Sequence, residues 1–599
     1  MTRNTTHCQR RSLVLVLVLL FVWGHPNLSN SLSGASADDS GRLLRSTSVR
    51  RVNVPHFTGD LKWTESAILW FGRVTDEENY TDVRITYNDT TLYVRVAVID
   101  RYVWWTSSPD QENLEQWDAV TLYLDTAHDG GAAPDGNDYR LLSAFHLGQD
   151  STPYMRAERG NGGGWGTATV PFTTTVTYRA QAGGINNNDG RDKGWSTVYE
   201  IPFASLGLSG PPSSGEVWGL GVILHDRDNA AGSPPIADKT WPETAQSGSP
   251  GTWGELAFDP PPYQSPPAHV EGNVVIRPGP EDGIDAFVGG TSMCSGETTF
   301  DQNFGDDTSL YVENQADYSD YPCFNKSYLR FNLAGIPTGK VIISATLTLH
   351  HWSNADWTGA EPSFIQLFST DDGWDEHAIT WNNAPLAREN ISATWVQVIT
   401  PDNNPGWPGN PYDWDATKAV AEAYSAGEPV NLVLYSADMA QHSNKYLTSS
   451  DTGDWNAVAR PTLTVVYGRP TGTVDKQAWP VALNHDEVVT YTLSVIGSDQ
   501  ALTLTDALPD GLSAPLSVSC TLGSAGYNTG QRQVWWTGSP AAGQAVTVTY
   551  SVTAQITGPV ALSNTAILSD TDGVVATDTA VILVDGYTAF LPFVTKSAP

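Results

Sequence analysis

From Asp82 to Asp100 the chain reads DVRITYNDTTLYVRVAVID. Ile85 and Tyr87, then Leu92, Val94, Val96 and Val98, recur at every second position around a polar Asn88–Thr91 turn. Successive strand side chains point to opposite faces, so this period fits a β-hairpin with one apolar face and does not fit a helix. The same period marks strands at Ala119–Leu124, Tyr139–Phe145, Ser196–Ile201 and Val217–His225. Together they predict a β-sandwich over residues 50–260.

The rest of the chain repeats this design. Residues 261–272, which take in all but the first residue of PPPYQSPPAH (Pro260–His269), read as a Pro-rich, semi-stiff linker between independently folded units. Strands expected at Ser327–Leu333, Val341–Trp352 and Pro461–Gly468 make residues 273–468 a second sandwich. Its one helix is expected in WDATKAVAEAYSAG, with Asp415 at the start and Gly427 at the end. Alternating Thr and Val in VVTYTLSVIG and AVTVTYSVTAQ predict a third, immunoglobulin-like sandwich over 472–585, followed by a C-terminal tail, 586–599. The fold class is therefore all-β, three tandem β-sandwiches. A length of 599 residues and the abundance of Gly (54) and Pro (38) fit several turn-rich domains better than one.

Residues 1–38 read as a signal peptide and leader to be cleaved: Arg3, Arg10 and Arg11 precede the apolar run Leu13–Trp23, and small and polar residues follow. The run is about half the roughly 20 residues that a membrane-spanning helix needs. The expected product is secreted or held at the cell surface, without a membrane-spanning segment. A formal charge of −34 opposes binding to nucleic acid. Export also makes a Cys294–Cys323 disulfide plausible, whereas Cys520, with no histidine after it in its domain, reads as a buried thiol.

Two groups of residues point to ligands. Trp117 stands just before a strand, and Trp104 and Trp105 are adjacent, so on a strand one ring would face away from the core. Indoles that stay outside suit the apolar face of a sugar ring, with Glu115 and Gln116 placed to hydrogen-bond its hydroxyls; the alternative is that Trp117 packs beneath the sheet. Asp125, Asp129, Asp135 and Asp138 gather on the next loop and offer the hard oxygen ligands of Ca²⁺, or else form a solvated acidic turn. Asp226 and Asp228 offer further carboxylates. No nucleophile elbow, zinc-protease helix motif or phosphate loop occurs, and Asp375 and Glu376 are the most tempting pair for a glycosidase. No catalytic residue is assigned.

The motifs GDLKW (Gly59–Trp63), LYVRVAVID (Leu92–Asp100), QWDAVTLYLD (Gln116–Asp125), YEIPFASLGL (Tyr199–Leu208), WGLGVILHDRD (Trp218–Asp228) and WGELAF (Trp253–Phe258) make the first unit resemble family 9 carbohydrate-binding modules. That resemblance implies two aromatic rings around a terminal sugar. One ring comes from the segment of Trp117 and the other from the loop before the last strand, where Trp241 precedes the usual place and Trp104 or Trp105 is a substitute. DQNFGDDTSLYV (Asp301–Val312), SYLRFNLAGIPTGKVIISATLTL (Ser327–Leu349), DGWDEHAITWNNAP (Asp372–Pro385) and ARPTLTVVYG (Ala459–Gly468) make the second unit similar to DNRLRE-type modules, some of which belong to carbohydrate-binding family 96. TLTDALPDGL and SNTAILSDTDG make the third similar to immunoglobulin-like bacterial surface repeats. The implied function is non-catalytic attachment to a polysaccharide or cell-wall glycan, as in an accessory to glycan degradation. A structural or adhesive surface protein is the alternative, and a glycan-active enzyme the third reading.

Overall fold

The computed structural model describes residues 6–7, 49–75, 77–179, 192–228, 236–289, 299–315, 324–439 and 444–586. The remaining signal segment, the tail beyond Gly586 and the Cys294–Cys323 pair lie outside the described residues. The chain is nearly all β, and its one α-helix among the described residues is Thr417–Ala426. This helix starts after Asp415, whose carboxylate accepts the Thr417 N–H at 2.9 Å, and it ends at Gly427 in the left-handed conformation, φ 71°.

Two facing sheets build the first unit. One has the order Thr173–Arg179, Gly194–Pro202, Thr91–Ile99, Tyr80–Tyr87, Ala67–Gly72. In the other, Val217–His225 lies between Gly254–Phe258 and Ala119–Asp125, and the sheet continues through Asp138–Ala144, Met155–Gly160 and Trp165–Thr167. The alternating apolar residues Val83, Ile85, Leu92, Val94, Val96 and Val98 meet Val120, Leu122 and Leu124 in the core between them. In the second unit a curled sheet runs from Ala268–Ile276 to Ala387–Val396 and encloses Leu347, Leu349, Leu367, Trp414 and Val420. The third pairs a sheet through Leu502–Ala507 and Val560–Asp570 with one through Val488–Ile496 and Ala545–Thr553. Cys520, expected as a buried thiol, is half-buried and disulfide-bonded, and no other cysteine is among the described residues.

The segment 261–272 is not a free spacer. Strand Ala268–Ile276 begins inside it and pairs with Thr462–Pro470, and the Ser265 hydroxyl donates to the Ile343 carbonyl at 2.8 Å. The units on either side are not independent either. Strand Tyr80–Tyr87 is buried along its whole length, because its second face packs on the second unit. Ile68, Trp70 and Tyr80 join Phe368, Trp381 and Tyr435 in one apolar cluster. Polar groups close the same junction. Arg84, fully buried, donates to the carbonyls of Ala437 (2.9 Å) and Asp438 (3.1 Å), and the Gln366 amide donates to the Ser66 carbonyl at 2.9 Å. Nearby, Asn53 and Asn390 exchange hydrogen bonds of 2.7 and 2.8 Å.

Candidate functional site

The 3-10 turn Leu114–Gln116 buries Leu114 and delivers Trp117 half-exposed at its end. Buried Asp118 then ties in a second segment: its carboxylate accepts the Trp104 N–H, and its own N–H donates to the Trp104 carbonyl at 3.0 Å. As a result the rings of Trp104 and Trp117 lie 8° from parallel with centroids 6.4 Å apart. A sugar between two rings needs a contact of about 3.5–4.0 Å on each side. The pair therefore offers an outer face and not a slot.

The other candidates divide. Trp105 packs at the core edge against Phe145, 6.3 Å between centroids. Gln116 is exposed beside the pair, but Glu115 is engaged by Arg140 and Arg156. Trp241 does not belong to the site. The sequence suggested a loop ring; instead Lys239–Trp241 is a short strand pairing with Val222–Leu224, and Trp241 is a core residue only 2 % exposed. Its ring fills the space above Gly254, where a Cβ would stand 2.9 Å from the indole.

The carboxylates of the Asp125–Asp138 loop come together as one electrostatic group. Burial first, then the charges of Asp125, Asp135 and Asp129, push Asp138 up to about 7. Main-chain amides occupy much of this group: Asp125 accepts from Ala127, His128 and Gly130, and one Asp138 oxygen accepts from Asp135 at 2.7 Å. The other Asp138 oxygen is buried without a hydrogen-bond partner, so one ligand position fits a hard cation here. Deeper in the same unit lies a second group that the sequence announced only through Asp226 and Asp228. Asp100, Asp118 and Asp226 are at most 1 % exposed, and burial followed by repulsion from neighbouring carboxylates, Asp228 and Asp192 in the case of Asp100, raises all three. Burial also raises Asp192 to about 6. One Asp226 oxygen has no hydrogen-bond partner, again an opening for a cation.

These shifts fix a pH dependence. A carboxyl whose folded-state value lies above its ordinary one keeps its proton in the folded chain after the unfolded chain has lost it. Stability then falls as pH rises through the interval between the two values. In chelator, the melting temperature of the first two units should drop between about pH 4 and about pH 8, and added Ca²⁺ should reduce that drop. A flat profile across this window in differential scanning calorimetry would count against the cluster.

A third group was not singled out in the sequence. Trp352, on strand Val341–Asn354, stacks on Trp407 with centroids 5.3 Å apart and planes at 26°, and Trp455 meets Trp407 edge-on at 4.9 Å. Tyr446 supports Trp352 from the neighbouring strand at 5.6 Å. Trp407 is 54 % and Trp455 69 % exposed, although burying an indole is strongly favourable. The available signal was local: NNPGWPGNP and TGDWN set tryptophan among Gly, Pro, Asn and Asp, which are turn residues.

An all-β assembly that carries indoles on its turns is the class of protein that fold and site define. Within it, residues 285–466 match carbohydrate-binding module family 96, as the resemblance of the second unit implied. No curated protein matches the chain. Similar solved structures include a family 9 carbohydrate-binding module from Caldicellulosiruptor kristjanssonii in complex with cellotriose, at 16 % identity and TM-score 0.26, covering 35 % of this chain and 95 % of that one. A putative carbohydrate-binding protein from Bacteroides uniformis, at 14 % identity and TM-score 0.26, covers 35 % of this chain and 100 % of its own. The N-terminal domain of a Streptococcus gordonii adhesin, at 10 % identity and TM-score 0.17, covers 88 % and 90 %. Among the described residues no helix is long and apolar enough to cross a membrane.

Proposed function

We propose that the protein is an exported, non-catalytic carbohydrate-binding protein that attaches to an extracellular or cell-surface polysaccharide. The observation that carries this reading is the pair of exposed indoles Trp407 and Trp455, backed by half-buried Trp352, inside the segment that matches a carbohydrate-binding family. Flat indole faces remove the C–H faces of pyranose rings from water, and hydroxyls around the sugar's rim stay solvated or bond to neighbouring polar groups. The outer face of Trp104 and Trp117 is a second contact of the same kind, with Gln116 beside it. Ca²⁺ at the aspartates of the first unit stiffens the loops around that contact. Each platform alone binds weakly, and two on one chain raise avidity.

The test is a glycan array and insoluble-polysaccharide pull-down with the whole chain. Replacing both Trp407 and Trp455 by alanine should weaken binding by at least tenfold, which corresponds to about 1.4 kcal/mol. Replacing Trp104 and Trp117 should produce a separate, smaller loss. Binding that neither pair affects would remove the proposed contact faces.

The alternative, a structural or adhesive surface protein, is favoured by one observation. The first unit has no sugar-sized slot between Trp104 and Trp117, and Trp241 is in its core. A wild-type chain that binds no glycan on the array would point to this reading.

A further inference from the structure

The DGWDEH turn contains Asp375 and Glu376, but the structure sends these neighbours to different tasks. Asp375 holds the turn: its carboxylate accepts the His377 N–H at 3.0 Å, and its carbonyl accepts the Ala378 and Ile379 N–H groups. Glu376 turns inward and accepts the Asp285 N–H at 2.8 Å, at the start of strand Asp285–Gly289. Asp285 is only 3 % exposed. One of its oxygens accepts the Ser450 N–H at 3.0 Å, and the other has no hydrogen-bond partner. The residue after Ser450 is Asp451, which also has a buried oxygen without a partner.

The three carboxylates each place an oxygen within 4.8 Å of the others. Close backbone approach makes this convergence possible. A Cβ at Gly283 would fall 2.1 Å from the Ser450 hydroxyl, and one at Gly305 would fall 2.3 Å from the Glu376 carbonyl. Asp306 and Asp307 add negative charge at the rim: Asp306 acts on Glu376 and Asp451, and Asp307 on Asp451. Among the described residues no lysine or arginine forms an ion pair with any of the five. Among the described residues the basic side chain paired with them is the exposed imidazole of His377, 3.5 Å from Asp306 and 3.8 Å from Glu376.

A buried, unbonded carboxylate oxygen facing two further carboxylates, with no protein cation to compensate, is a costly arrangement unless a bound ion completes it. We propose that Asp285, Glu376 and Asp451 form a divalent-cation site whose ion is Ca²⁺. The oxygen ligands select a hard ion, and the absence of sulfur and of a buried imidazole in the set disfavours zinc. Spacing agrees: two oxygens on one Ca²⁺, each at about 2.3–2.6 Å, are at most about 5 Å apart. The ion joins strand Asp285–Gly289, the turn after Trp374 and the loop that leads into the 3-10 helix Asp454–Ala459. The site does not depend on the glycan reading.

The aspartates of the first unit also attract cations, so the experiment must count ions. The full chain is stripped with chelator and dialysed against Ca²⁺, bound Ca²⁺ per chain is measured, and the melting temperature is followed with and without the ion. Asp451→Asn and Glu376→Gln, each nearly isosteric, should each bind one Ca²⁺ fewer per chain than the wild type and show a smaller Ca²⁺-induced rise in melting temperature. Asp129→Asn, in the first unit, should leave the second-unit site filled, so that combining it with Asp451→Asn still removes one ion more than Asp129→Asn alone. An unchanged Ca²⁺ count in folded Asp451→Asn and Glu376→Gln would overturn the proposal. Equal loss with Mg²⁺ substituted for Ca²⁺ at the same concentration would overturn the choice of ion.

Discussion

Asp82→Ala is expected to destabilise the first two sandwiches together by about 3–5 kcal/mol, the range for removing one partner from a buried charged group. Asp82 is 1 % exposed and accepts three hydrogen bonds: from the Tyr80 hydroxyl (2.7 Å), the Tyr435 hydroxyl (2.8 Å) and the Asn314 amide (2.8 Å). Two of these donors belong to the second unit. Lys326, also from the second unit, lies close by, its ammonium 3.7 Å from the centre of the Trp381 ring and 3.2 Å from the Tyr80 hydroxyl. Burial holds this lysine well below its ordinary value, and the Asp82 charge pulls it back up. Without Asp82 the three donors lose their shared acceptor, and the amine loses the charge that pulls its value back up. Calorimetry should show one transition for both units, moved down as a whole. A variant in which the second unit melts at its wild-type temperature would refute the coupling.

The third unit has its own buried pair, and Asp506→Ala should cost a similar 3–5 kcal/mol. The Lys476 ammonium lies 2.8 and 2.7 Å from the two Asp506 oxygens, with both side chains fully buried. The Tyr550 hydroxyl donates to the same carboxylate at 2.6 Å and receives the Asn564 amide at 2.9 Å. Removing the anion alone leaves an ammonium in an apolar core. Replacing both members, Lys476→Met with Asp506→Leu, should recover most of the loss, because neither charge then needs compensation. Urea denaturation of the single and double variants measures this. If the double variant is no more stable than Asp506→Ala, the loss comes from packing and not from the unpaired charge.

Both predictions depend on residues whose surroundings the sequence did not disclose. The alternation in Asp82–Asp100 identified the inward positions, and Ile85, Val94 and Val96 are indeed in the core. It also made Asp82 and Arg84 look like solvent-facing residues. Their partners at Tyr435 and Ala437 lie more than half the chain away in sequence, and no local pattern carries such a pairing. Similarly, Gly427 marked the helix end because only its left-handed backbone was at issue, a property of one residue. Trp241 was misplaced because the resemblance put a ring in the loop before the last strand, whereas its role was set by the space above Gly254. Trp104 and Trp105 lie off any strand and both are half-buried, Trp104 beside Trp117 and Trp105 at the core edge against Phe145. Trp407 and Trp455 come together only through folding of loops far apart in sequence.

The shared cluster of Trp70, Tyr80, Trp381 and Tyr435 has a consequence for how such chains are assembled over evolutionary time. Segments that can be copied, shuffled and inserted elsewhere must keep their solubility when they leave. The leading sandwich would carry away an oily flank and an orphaned carboxylate, so it and its neighbour are inherited as a couple, while the trailing sandwich, with a self-contained interior, is free to be exchanged.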